Sequence, residues 1–129
     1  MNTLTLFGQM KIELNENQKS IFIDSVNQIY IRAYCSPVDS CDYTPYQLTN
    51  VMVEDLLERL NKSNSKDSCD FSERFYVLVH FKDGTIREFK INGSLIIDYN
   101  NDCFDIKDTM YFENLWIELR AKWIRKNKK

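Results

Sequence analysis

A chain of 129 residues, 43% hydrophobic and 28% charged, has the size and composition of one globular domain with a real core. Its net charge of −2 gives no overall attraction to nucleic acid or to an acidic membrane, and no run of about eighteen apolar residues exists to form a transmembrane helix. One histidine, four dispersed cysteines and three glycines leave little from which to build a metal cage, a catalytic dyad or a phosphate cradle.

In chain order, Leu4, Leu6, Met10, Ile12 and Leu14 alternate with Thr3, Thr5, Gln9, Lys11 and Glu13, which predicts a strand with one buried face. The same stretch lacks a basic n-region, so a signal peptide is not expected. "SIFID" and "QIYIRAY" are rich in β-branched and aromatic residues and predict two more strands. Phe22, Val26, Ile29 and Ala33 also fit a helical stripe. That helix would strand Ile21, Ile23 and Ile31 on its polar side, so strands are preferred.

A first helix is expected after the loop "CSPVDSCDY". Thr44 is its N-cap, Pro45 its first residue, and Gln47 completes a capping box, with Tyr43 stapled to Leu48. Leu48, Met52, Val53, Leu56, Leu57 and Leu60 make its buried stripe. "NKSNSKDSCD" then reads as a polar, mobile loop.

Residues 75–91 read as a hairpin. Phe75, Val77, Val79 and Phe81 alternate with Tyr76, Leu78, His80 and Lys82, and "KDGT" supplies the turn. A two-residue Asp83-Gly84 loop would set Phe81 against Ile86 and turn Phe89 and Ile91 to the wrong face. A three-residue Lys82-Asp83-Gly84 loop sets Val77 against Phe89 and Phe75 against Ile91, with Gly84 in the left-handed region. Burying a Phe and an Ile is worth roughly 3–6 kcal/mol, more than any preference between turns, so the second register is expected. Tyr76, Leu78, His80, Ile86, Glu88 and Lys90 then share a mixed second face.

"SLIID" predicts a short strand, and "YNNDCFDIKD" an acidic loop. A second helix should begin between residues 105 and 109 and run to about 126, with Phe112, Leu115, Trp116, Leu119 and Trp123 as its core stripe. The order β-β-β-α-β-β-(β)-α predicts a two-layer α+β domain over residues 1–129: a mainly antiparallel sheet, two amphipathic helices on one face, and a frayed basic tail from about 125.

The chemistry-bearing residues exclude more than they suggest. Asp98, Asn100 and Asp102 have the spacing of a calcium loop, but its sixth position is Cys103 instead of Gly and its twelfth is Thr109 instead of Glu. No metal and no cofactor are expected. Cys35, Cys41, Cys69 and Cys103 contain no C-x-x-C, and the expectation is reduced thiols in a cytoplasmic protein. Arg120, Lys122, Arg125, Lys126, Lys128 and Lys129 make the C-terminal end basic, which suits a helix dipole and is also the footprint of a nucleic-acid binder.

The expected function is therefore non-enzymatic: a small inhibitor or modulator that binds a larger bacterial protein, of the kind made by phages, mobile elements or immunity systems, with no membrane partner. Two alternatives remain, a nucleic-acid-binding regulator using the basic helix and a small-molecule-binding accessory domain. Two surfaces compete for the partner. One is the hairpin face with Tyr76, His80, Glu88 and Lys90; the other is the acidic loop with Asp98, Asp102 and Asp105, which has Tyr99 and Phe104 as its apolar anchors.

Overall fold

A computed structural model describes residues 25–34, 42–66, 69, 74–98 and 102–127. The expected strands at residues 3–14 and 20–24, and Cys35, lie outside the described residues, as does Cys41. In chain order the described elements are β1 (Val26–Ala33), β2 (Tyr46–Gln47), α1 (Asn50–Asn61), β3 (Asn64–Lys66), β4 (Phe75–Phe81), β5 (Ile86–Asn92), β6 (Leu95–Ile97), β7 (Cys103–Asp105) and α2 (Tyr111–Asn127). The strands form one seven-stranded sheet in the order β2-β1-β4-β5-β6-β7-β3, with every pairing antiparallel.

The hairpin adopts the register expected from burial. Val77 faces Phe89 and Phe75 faces Ile91. The Phe81 N–H donates to the Thr85 carbonyl at 2.8 Å, the Gly84 N–H donates to the Phe81 carbonyl at 2.9 Å, and Gly84 has φ +92°. Asp83 Oδ1 accepts from the Thr85 N–H at 2.9 Å and from the Thr85 hydroxyl at 2.7 Å, which fixes the turn from inside. β1 then pairs with β4 along nearly its whole length, setting Ile29 opposite Val79 and Ile31 opposite Val77. The strand reading of residues 26–33 thus holds over the helical one.

These alternate residues form one core with Val53, Leu56, Leu57 and Leu60 of α1 and Phe112, Leu115 and Leu119 of α2. Between the helical and sheet side chains the packing leaves a cavity of only about 10 Å³, at the lower limit for holding one water molecule.

Five local expectations need correction. Thr44 is not a helix cap: Tyr46 and Gln47 pair with Ile31 and Tyr30, and the Leu48 N–H donates to the Ile29 carbonyl at 2.9 Å. Pairing with β1 satisfies these backbone groups and buries Tyr46 and Leu48, so it outcompetes a locally capped turn. The cap is Thr49, whose hydroxyl accepts the Met52 N–H at 3.3 Å. The loop after α1 contains β3, which pairs with β7. The acidic loop contains β7, which puts Phe104 in the core rather than on the surface as an anchor. α2 begins at Tyr111, after Lys107 takes a left-handed φ of +64°, and runs to Asn127. Finally, Cys69 and Cys103 are joined in a disulfide with Cα atoms 6.1 Å apart, within the range that such a bridge spans, so these two are not reduced thiols.

Trp116 is half-buried, while Trp123 is 46% exposed. Both rings meet Tyr46 edge-on, at 6.4 and 6.1 Å. Behind them Asp42 accepts hydrogen bonds from the Tyr46 hydroxyl, from the Thr44 N–H at 2.9 Å and from Arg120 Nε at 3.0 Å. This cluster ties the short β2 edge to α2. Burial raises the Asp42 carboxyl, but the hydrogen bonds from Thr44, Tyr46 and Arg120 outweigh it and bring its pKa to about 2.

Two outcomes follow from this architecture. Nothing lies within 4 Å of a Cβ built on Gly84, so Gly84→Ala should cost about 1 kcal/mol through backbone strain alone, read as a lower denaturant midpoint at unchanged m-value. The depressed pKa of Asp42 means that its stabilising effect is complete above its unfolded pKa near 4 and is lost as pH falls toward 2. Between pH 5 and pH 2, each a nominal buffer setting, the wild type should therefore lose about 1–2 kcal/mol more stability than Asp42→Asn, measured by urea titration.

Candidate functional site

The register that fills the core also defines the composition of the opposite face. Its side chains line up in cross-strand rows. Arg32, Tyr76 and Lys90 form one row, Tyr30, Leu78 and Glu88 the next, and Gln28, His80 and Ile86 the third. The β1 and β4 members are half-buried, whereas Ile86, Glu88 and Lys90 are exposed. Sequence reasoning placed Tyr76, His80, Glu88 and Lys90 together, and the structure does bring them onto one surface.

It missed the β1 contribution, because strand order is not encoded in the alternation of a single strand. Tyr30 meets His80 with ring centroids 5.1 Å apart, and Tyr34, 45% exposed just beyond β1, meets Tyr76 edge-on at 5.9 Å. The Arg32 guanidinium lies 4.5 Å over the Tyr76 ring and 3.8 Å from Glu88. The Tyr30 hydroxyl donates to the Gln28 side-chain oxygen. The result is a band of aromatic rings braced by a cation, with charged side chains along the β5 side. The ring–ring and cation–ring contacts restrict the rotamers of these side chains.

The acidic set does not form a second surface of this kind. Asp98 is buried, and Arg87 reaches its Oδ1 with Nη2 at 3.4 Å. Arg87 sits on the core side of β5, opposite Val79, so this pair neutralises charge inside the domain. Asp105 is half-buried and accepts the Lys107 N–H at 2.7 Å, with Lys66 Nζ at 3.8 Å. Burial raises its carboxyl, but hydrogen bonds from Ser94 and Lys107 and the charges of Lys66 and Lys107 bring it below the ordinary carboxylate range. Asp102 is half-buried, and its carbonyl accepts the Asp98 N–H at 2.9 Å. These aspartates shape the β6–β7 connection and the turn after β7.

A second concavity runs between α1 and α2, lined by Met52, Asp55, Arg59, Asp108, Tyr111 and Leu115 among others. Arg59 fills its polar side: it bonds Asp55 at 3.0 Å and Asp108 at 3.3 Å, and its guanidinium lies 4.3 Å over the Tyr111 ring. With both carboxylates on one cation, this groove reads as a strap between α1 and the start of α2. Among the described residues no group of three or more His, Cys, Asp or Glu side chains could hold a metal ion, and no helix is long and apolar enough to cross a membrane.

No family model matches the chain, no curated protein matches it in sequence, and no solved structure matches it.

The buried pair supplies a test of the division between the two surfaces. Arg87→Met should destabilise the domain by about 3–5 kcal/mol, since it leaves the Asp98 carboxylate without that cation in a low-dielectric site, whereas Asp102→Ala should change stability by no more than about 0.5 kcal/mol. Both are read from chemical denaturation midpoints.

Proposed function

We propose that this protein is a non-enzymatic binding protein that docks a larger protein through the Tyr30–Tyr76–His80 face of its sheet. In this reading the domain has two layers. Both helices cover the core face, and the opposite face is left for the partner. The observation that carries it is the braced aromatic band, Tyr30 with His80 and Tyr34 with Tyr76 under Arg32. Tyrosine and arginine are the residues that most often dominate binding energy, and charge at the margin suits a polar rim. Inhibition by occlusion, as in anti-defence or immunity-type proteins, is the mode of action that suits so small a domain.

The nucleic-acid reading rests on Trp123, exposed among Arg120, Lys122, Arg125 and Lys126. Arg120 is already bonded to Asp42, and the Trp123 ring is turned toward Tyr46, which weakens that reading. A salt series separates the two: phosphate contacts give a steep linear fall of log affinity with log salt, and an aromatic-centred protein interface does not.

The test begins with affinity capture from a host lysate, followed by titration of the captured partner. Tyr76→Ala should weaken binding by about tenfold or more, and Lys90→Glu should also weaken it. Asp102→Ala should act mainly on the association rate, with an effect that fades at high salt. Normal binding by folded Tyr76 and Lys90 variants, together with a salt-resistant loss in the Asp102 variant, would reverse the assignment.

A further inference from the structure

The Cys69–Cys103 bridge sits at the outer edge of the sheet. Among the described residues β3 is the terminal strand, pairing Asn64 with Asp105, Ser65 with Phe104 and Lys66 with Cys103. Its three side chains are all exposed, so it adds no apolar surface to the core. β7 is different, because Phe104 and Cys103 are both buried. At least three interactions hold β3 in place. One is its short ladder. Another is the solvent-screened Lys66–Asp105 pair at 3.8 Å. The last is a covalent bond from Cys69, three residues beyond β3, back to Cys103, the residue directly opposite Lys66. Ladder and bridge thus close a small ring around the end of β3.

We infer that this disulfide is a redox-addressable clasp on the sheet edge, formed in an oxidising compartment and opened by a dithiol that attacks Cys69. The buried partner cannot be the entry point: Cys103 is 2% exposed, while Cys69 is half-buried. The attacking thiolate bonds to Cys69 Sγ, the S–S bond breaks, and Cys103 leaves as a thiolate that takes up a proton. The second thiol of the attacking dithiol then displaces the Cys69 thiolate. The protein's disulfide gains two electrons and two protons, and the dithiol becomes a disulfide. Without the bond, a three-residue ladder of exposed polar side chains is too weak to stay paired. β3 detaches while Phe104 keeps β7 in the core, which leaves the outer N–H and C=O groups of β7 open to another strand. On this inference the bridge forms outside the reducing cytosol, unlike the reduced thiols expected of a cytoplasmic protein. The inference does not depend on the binding face, which lies on β1, β4 and β5.

The test uses the full chain refolded in a glutathione redox buffer, compared with the same chain treated with dithiothreitol. Peptide-resolved alkylation should find Cys69 and Cys103 both protected before reduction and both labelled after it. Limiting glutathione should leave its mixed disulfide on Cys69 at least about tenfold more often than on Cys103. Hydrogen exchange should speed up by about tenfold or more at residues 64–66 and at the outward amides of 103–105 on reduction, with 75–81 and 86–92 unchanged. Cys69→Ala, oxidised, should exchange like the reduced wild type. Protein acid-trapped from its native cells should carry the bridge. The proposal fails if both thiols are labelled in the oxidised or native sample, if glutathione settles on Cys103, or if β3 exchange is unaffected by reduction. It also fails if reduction unfolds the β4–β5 hairpin together with the edge, because the bond would then be a global staple and not a clasp.

Discussion

A one-residue slip between β4 and β5 would turn Phe89 and Ile91 out of the core and bring Glu88 and Lys90 into it. The Lys82-Asp83-Gly84 loop prevents this. It needs one residue at positive φ, and Gly84 supplies it, while Asp83 ties the turn to Thr85. The rest of the sheet is built outward from that register. β1 reads it from β4, β6 reads it from β5, and the apolar stripes of α1 and α2 meet the face that results. Burying Phe89 and Ile91 contributes roughly 3–6 kcal/mol, a large part of the net stability of a domain this size.

The same constraint decides what the other face presents. With period-two alternation, every residue that faces the core forces its neighbours outward, so Tyr30, Arg32, Tyr76 and His80 are brought together by the pairing of Ile29 with Val79 and of Ile31 with Val77. The side chains of this face can therefore differ with no change in the core. The charged residues are distributed by a similar economy. Arg87 neutralises Asp98 inside the domain, Arg120 holds Asp42 against the β2 edge, and Arg59 joins α1 to the approach to α2.

Sheet edges are where a fold of this kind is most exposed to unwanted pairing. Among the described residues both terminal strands are short. β2 has two residues and is held through Tyr46 against Trp116 and Trp123. β3 has three, all of them polar, and is held by a covalent bond. One edge is thus secured by aromatic packing and the other by a disulfide beside it.

The spacing of apolar residues was enough to determine the hairpin, its three-residue turn and, apart from Leu48, which precedes α1, and the 46% exposed Trp123, the core stripes of α1 and α2, because each depends on neighbours only a few residues apart. That Tyr76, His80, Glu88 and Lys90 share one face of the hairpin was legible for that reason. Long-range pairing decided the rest. Thr44, Pro45 and Gln47 match a helix cap locally, yet the backbone around Tyr46 finds its partners on β1. Asp98 and Phe104 read as loop surface until β6, β7 and Arg87 enclose them. Cys69 and Cys103 lie 34 residues apart, and only the return of β7 beside β3 brings them within bonding distance. Local pattern fixes which side of an element is apolar; only the assembled sheet decides which distant groups that side, and its opposite, will meet.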